Sequence, residues 1–180
     1  QHHFPNTIQL GDITQIDTDQ LPHIDLIVGG SPCQGFSFSG KQLAFDDPRS
    51  KLFFEYIRIL RAVQQRNPNV KFLLENVRMK KEHEAVITRY VGVLPITLNS
   101  NLVSAQNRER LYWTNIQAQP YNLMGDLRTT IQPPPDKGLL IKHILQPNVP
   151  EKYFLSDKML QYFITRSNNF NNGKVNIKDK

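Results

Sequence analysis

Residues able to do chemistry concentrate in one short run. Gly29-Gly30-Ser31-Pro32-Cys33-Gln34-Gly35-Phe36-Ser37 carries the only cysteine among 180 residues. The paired glycines permit unusual backbone angles and the proline fixes one, so the thiol gains the rigid exposure that a nucleophile needs. A lone cysteine is more often an inert small hydrophobe. Its position weakens that reading, because the run follows an apolar strand, and a strand-end loop faces solvent, where backbone amides favour the thiolate. Two further groups qualify. Glu75-Asn76-Val77 closes a second apolar run, and Gln106-Asn107-Arg108-Glu109-Arg110 lies between two β-rich runs. Alone, Glu75 reads equally as a solvated strand-end charge, and Arg-Glu-Arg as a solvated hairpin whose ion pair is worth under about 1 kcal/mol.

Those groups need elements to position them. His23 to Gly30, bounded by proline and glycine, reads as a buried parallel strand. From Ser50, the apolar residues Leu52, Phe53, Tyr56, Ile57, Leu60 and Val63 recur at helical spacing, which predicts an amphipathic helix. Asn67-Pro68-Asn69 breaks it, and Val70 to Val77 supplies a second buried strand, completing a right-handed crossover. Lys80 to Val91 predicts another helix, ended by Gly92 and Pro95. Ile96 to Val103 and Leu111 to Ile116 read as adjacent strands. After Asn115 regular structure thins, Pro133-Pro134-Pro135 is a stiff connector, and Glu151 to Thr165 resumes as a helix. The alternation implies an α/β layer structure with functional loops at the carboxyl ends of strands, so Gly29 to Gly40 and Glu75-Asn76-Val77 should meet on one sheet edge.

The run from Gly30 to Ser37, then Asp47-Pro48-Arg49-Ser50-Lys51-Leu52, Glu75-Asn76-Val77 and Gln106 to Arg110, resembles the cytosine-5 DNA methyltransferase family in four ordered blocks. Gly11-Asp12-Ile13 upstream and Lys152-Tyr153-Phe154-Leu155-Ser156 downstream are weaker matches that extend it. The resemblance implies a Rossmann-like S-adenosylmethionine-dependent core, mostly parallel, with helices on both faces. It also implies an incomplete one: the family's glycine-rich block, its acidic ribose-binding residue, its late blocks and most of its target recognition region have no counterpart. Residues 1–116 are then part of the catalytic domain, 117–150 a connector, and 151–180 the lead-in to target recognition.

The family's chemistry assigns roles by similarity. Cytosine is unreactive at carbon 5, so a thiolate adds to carbon 6 and makes an enamine able to attack the sulfonium methyl of S-adenosylmethionine. Cys33 matches that nucleophile. Glu75 matches the carboxyl group that hydrogen-bonds ring nitrogen 3 as charge moves there, Arg110 the cation beside oxygen 2, and Arg108 its support. Asp12 would accept from the adenine amino group, with Ile13 and Leu52 packing on the purine and Pro32 nearby; alone, Asp12 is equally a turn residue after glycine. Gln34 and Ser37 would belong to a loop that closes on flipped DNA, with Lys41 and Arg49 reaching phosphate. The partner is double-stranded DNA, from which the target base must be rotated out.

Composition sets the outer limits. With 39% hydrophobic and 21% charged residues the chain can bury a core, which excludes disorder, collagen and coiled coil. One cysteine excludes a disulfide framework and a cysteine-based zinc site, and no metal site is expected. Lys and Arg total 22 against 16 Asp and Glu, a charge of +6 that suits a polyanion without demanding one. No run approaches the roughly 18 apolar residues of a membrane span and no export signal opens the chain, so a cytoplasmic protein is expected. The ends, at Gln1 and in the polar run from Asn168, read as trimmed boundaries. The parent then reads as a prokaryotic or phage modification methylase, with a cognate restriction endonuclease as a candidate partner, and the isolated piece as inactive. The alternative from another class is a catalytically inactive DNA-binding or scaffold module. A thiol hydrolase using Cys33 with His23 or His83 ranks lower, because no orienting carboxylate is evident.

Overall fold

The computed structural model describes residues 3–31, 52–123 and 125–170. Two compact units divide the chain, residues 1–140 and residues 141–180. In the first, β1 (Leu26–Gly30), α1 (Leu52–Arg66) and β2 (Lys71–Val77) form the expected crossover, with the two strands parallel and Gly30 opposite Glu75. The helix starts where the apolar spacing starts and buries Phe53, Tyr56, Ile57, Leu60 and Val63. Asn67 ends it: Nδ2 donates to the Ile24 carbonyl at 2.9 Å and Oδ1 accepts from the Asn69 N–H at 3.1 Å, so the helix-breaking turn also ties the chain entering β1.

α2 (Lys81–Val91) stops at Gly92, whose φ of 77° lets its N–H close on the Thr88 carbonyl at 2.8 Å. β3 (Val93–Leu94), β4 (Ile96–Asn99), β5 (Glu109–Thr114), β6 (Ala118–Pro120) and β7 (Leu127–Thr129) follow. The larger sheet has the order β1-β2-β5-β4, and β5 runs antiparallel to both its neighbours. Three strands therefore point one way with β5 inserted against them. Residues 100–108, which join β4 to β5, are too few for a parallel crossover of roughly a dozen residues, so antiparallel pairing is forced. A second sheet, β3-β7-β6, occupies the region where regular structure was expected to thin.

Helices were expected on both faces. Among the described residues, α1 and α2 cover one face only. Leu74 stands opposite Trp113 and Asn76 opposite Leu111, which places Phe72, Leu74, Leu111 and Trp113 on the same face, buried with α1 and with Ile87 and Val91 of α2. The Phe53 and Tyr90 rings meet edge-on at 5.8 Å, and Trp113 Nε1 donates to Thr88 Oγ1 at 2.9 Å. The cause is handedness: β1 to β2 and β2 to β4 are parallel connections advancing in the same direction across the sheet, so right-handed crossovers put both helices on one side. The other face carries Leu73, Glu75, Arg110 and Tyr112, with Leu26 and Val28 exposed on β1.

In the second unit α3 (Asp157–Phe170) begins after Ser156, whose carbonyl accepts from the Leu160 N–H at 2.9 Å. No helix among the described residues is long and apolar enough to cross a membrane.

Candidate active site

Strand register builds the site. Glu75 pairs with Gly30 on one side and Tyr112 on the other, and Arg110 pairs with Val77, so Glu75 and Arg110 are diagonal neighbours on the sheet face that no described helix covers. Arg110 Nε lies 2.9 Å from Glu75 Oε1, and Arg108 Nη2, two residues along the same face, lies 3.9 Å from that oxygen. Nε is buried and its N–H points off the line to the carboxylate, so the pair is an ion contact; among the described residues Nε has no hydrogen-bond partner. Nη1 donates to the Glu109 carbonyl at 2.7 Å, which fixes the guanidinium plane. Across β1, a Cβ on Gly30 would lie 3.1 Å from Glu75 Oε2. The glycine thus leaves the carboxylate its room.

The remaining thiol-loop residues, Cys33, Pro32, Gln34, Ser37, Lys41 and Arg49, lie outside the described residues. The chain entering that loop is described. Ser31 Oγ accepts from Asn76 Nδ2 at 2.8 Å, while Asn76 Oδ1 accepts from the Val77 N–H at 2.8 Å. Asn76 is 1% exposed, so both ends of its amide are satisfied inside the fold. The preceding sequence reading gave neither residue this job. A signal was present: Asn76 continues the buried phase Phe72, Leu74 of an alternating strand, and an amide there requires partners.

Two of the four residues proposed for the purine come together. Ile13 and Leu52 line a cavity of about 360 Å³ with Ile27, Gly30, Ser31 and Tyr56. Burial pushes the Tyr56 phenol above its ordinary pKa, and its ring lies where a Cβ on Gly29 would approach within 2.8 Å. Asp12 does not line the cavity. Its Oδ1 accepts from the Thr14 N–H and the Thr14 hydroxyl, each at 2.9 Å, and these bonds, the backbone one first, hold its carboxyl below its ordinary pKa. Arg58 of α1, also unforeseen, donates to the Ile13 and Ile16 carbonyls at 3.0 Å each and so holds Ile13 at the cavity.

The histidines of the hydrolase alternative do have carboxylate neighbours: His23 Nε2 is 3.0 Å from Asp25 Oδ1, and His83 Nε2 is 3.6 Å from Glu82 Oε1. His23, however, precedes β1 whereas Ser31 follows it, so the strand's length separates His23 from the entrance to the thiol loop.

A strand-end carboxylate beside two arginines, on an α/β sheet with an apolar cavity at its margin, defines the class. The chain belongs to the C-5 cytosine-specific DNA methylase family, whose profile matches residues 1–179. It is similar to the type II methyltransferase M1.ScrFI of Lactococcus lactis subsp. cremoris, 36% identical over 160 residues that make up 83% of this chain and 40% of that protein. The orphan methyltransferase M.SPRI of Bacillus phage SPR is 36% identical over 127 residues, 64% of this chain and 28% of that protein. Among solved structures, a mutant of Spodoptera frugiperda DNMT2 superposes with a TM-score of 0.56 at 26% identity, covering 91% of this chain and 53% of that one. The chain spans 40% of the length of the Lactococcus relative.

Proposed function

We propose that the full-length protein transfers a methyl group from S-adenosylmethionine to carbon 5 of cytosine in double-stranded DNA, through a covalent adduct between Cys33 and carbon 6 of a flipped base. The observation that carries this reading is the Glu75 carboxylate, held beside Arg110 and Arg108 and directly opposite Gly30, three residues before the cysteine. Thiolate addition at carbon 6 forms the carbon–sulfur bond and pushes the ring electrons toward nitrogen 3 and oxygen 2. Glu75 takes up a proton as the base enters and donates it to nitrogen 3, and Arg110, with an unused buried N–H, meets the charge on oxygen 2. Arg108 adds a second cation behind it. Carbon 5 then takes the methyl, the neutral thioether S-adenosylhomocysteine leaves, a solvent base removes the carbon 5 proton, and expulsion of the sulfur restores both the aromatic ring and the Cys33 thiolate.

Bound S-adenosylmethionine supplies the electrophilic methyl. The apolar cavity lined by Ile13 and Leu52 suits its purine, with Asp12 and Pro32 assigned to it by family resemblance alone; ribose and methionine partners are not evident among the described residues. Gln34 and Ser37 close on the extruded base, Lys41 and Arg49 meet phosphate, and the +6 charge favours the duplex. The bacterial relatives' type II names support a modification role alongside a restriction endonuclease.

The test is trapping. Full-length protein, incubated with a 5-fluorocytosine duplex and S-adenosylmethionine, should give a denaturation-stable adduct that Cys33→Ser abolishes. Wild-type protein that binds the duplex without forming the adduct would instead be the inactive DNA-binding module.

A further inference from the structure

The arginine loop carries an electrostatic problem. Arg108 and Arg110 both approach one oxygen of Glu75, at 3.9 and 2.9 Å, so two guanidinium groups of like charge share a single anion. Strand register with Val77 and Leu98 holds Arg110 there, but Arg108 belongs to residues 100–108, and side-chain attraction alone does not fix a loop. The hydrogen bonds that do so come from one dipeptide at the end of β4. Asn99 Oδ1 accepts from the Arg108 N–H at 3.0 Å and from the Asn101 N–H at 3.1 Å, and Asn99 Nδ2 donates to Asn107 Oδ1 at 2.7 Å. Ser100 N–H donates to the Arg108 carbonyl at 3.1 Å, and Ser100 Oγ donates to the Gln106 carbonyl at 2.6 Å. Both backbone polar groups of Arg108 are thus held by adjacent residues, with Asn99 itself in register with Glu109.

We infer that Asn99 and Ser100 are positioning residues that set Arg108 behind the base-facing pair of Glu75 and Arg110, acting through the backbone of residues 106–108. The inference rests on the methyltransferase reading above. Asn99 touches neither Glu75 nor any group assigned to substrate; it acts by limiting how far the Arg108 peptide can rotate. The loss of that restraint should lower the rate of adduct formation while leaving the purine cavity, built from other elements, unaffected.

Single-turnover adduct formation on a 5-fluorocytosine duplex by the full-length protein separates the possibilities, with rate constant and final amplitude read independently. Asn99→Leu, similar in volume but without hydrogen-bonding groups, should lower the rate constant at least tenfold at near wild-type amplitude and leave S-adenosylmethionine affinity within twofold. Asn99→Asp keeps the acceptor for the Arg108 N–H, and the Asn107 amide can turn to donate to it, so the constant should recover to within threefold of wild type. A variant that merely folds less completely would lose amplitude at an unchanged constant, and that result overturns the inference. Ser100→Ala and Asn107→Ala each cut one arm and leave Asn99 in place; each should lower the constant two- to fivefold, and unchanged constants in both overturn the inference even if Asn99→Leu cannot be purified. Absence of any adduct in wild-type protein overturns the methyltransferase reading and this inference with it, whereas a wild-type adduct with fully active Asn99→Leu overturns this inference alone.

Discussion

The two sides of β2 differ in how completely this chain builds them. Toward β5, Glu75 stands on an interior strand whose neighbour delivers Arg110 in fixed register, with Arg108 on the loop that leads into it. Toward β1, the edge strand among the described residues, Leu26 and Val28 are 52% and 65% exposed, and the cavity of Ile13 and Leu52 opens there. Strands in parallel pairing are ordinarily buried on both faces. The carboxylate side is therefore assembled by strand pairing within this chain, whereas the cavity side, proposed above for the purine, depends on a short 3-10 turn capped by Asp12 and held by Arg58. Acid and cation positions should resist perturbation from the β1 margin, and cofactor contacts should not.

The largest expected effect lies on the β5 side. Glu75→Gln keeps the shape and one acceptor oxygen but removes the charge that draws in both arginines and the ability to take up a proton and pass it to nitrogen 3. Methyl transfer by the full-length protein should fall by about 10²- to 10⁴-fold, the usual scale for a positioned acid or base, with S-adenosylmethionine affinity unchanged. A loss under about tenfold would move the burden from Glu75 to the arginines and break the comparison at its stronger side.

Next come two changes where β1 meets its neighbours. Gly29→Ala drives a Cβ to within 2.8 Å of the buried Tyr56 ring, which cannot retreat because it packs in the core. Overpacking of this kind costs about 1–3 kcal/mol, to be read as a lower denaturation midpoint, and the displaced ring should weaken cofactor binding as well. Ser31→Ala deletes the acceptor of the Asn76 amide, 1% exposed, leaving one of its N–H groups without that partner. The cost should be about 1–2 kcal/mol. If the carboxylate side is as independent as its strand pairing implies, neither change should alter the effect of Glu75→Gln by more than about 0.5 kcal/mol, the ordinary limit of additivity.

What could be read from residue order divides along the same line. α1 and β2 were legible because spacing and breakers are local: Leu52 to Val63 follow helical period and Asn67-Pro68-Asn69 ends it. The approach of Glu75 to Arg110 was only partly legible, since two strand ends can be placed on one edge without knowing that β5 runs antiparallel between β2 and β4. That insertion depends on the short span of residues 100–108, a three-dimensional constraint. The covering of one face by both helices follows from the order of strands in space, which local periodicity does not encode. β6 and β7, three residues each, are too short to impose an apolar alternation. Arg58 reads as an ordinary exposed helix residue until the turn of Ile13 is folded against it.

The smallest expected effect probes the cap of that turn. Asp12 is exposed, and its carboxyl is held below the ordinary value of 3.8 by the Thr14 N–H and then by the Thr14 hydroxyl. A carboxyl whose pKa is lower in the folded state stabilises the fold above its unfolded value and loses that contribution as pH falls through the folded one. Asp12→Asn retains an acceptor for the Thr14 N–H and removes only the charge. Wild type should therefore denature slightly later than the variant near neutral pH, and the gap should close in acid, below the ordinary carboxylate range. A gap that persisted there would mean that the side chain caps by shape and not by charge, making the purine side less sensitive to ionisation than its hydrogen bonds imply.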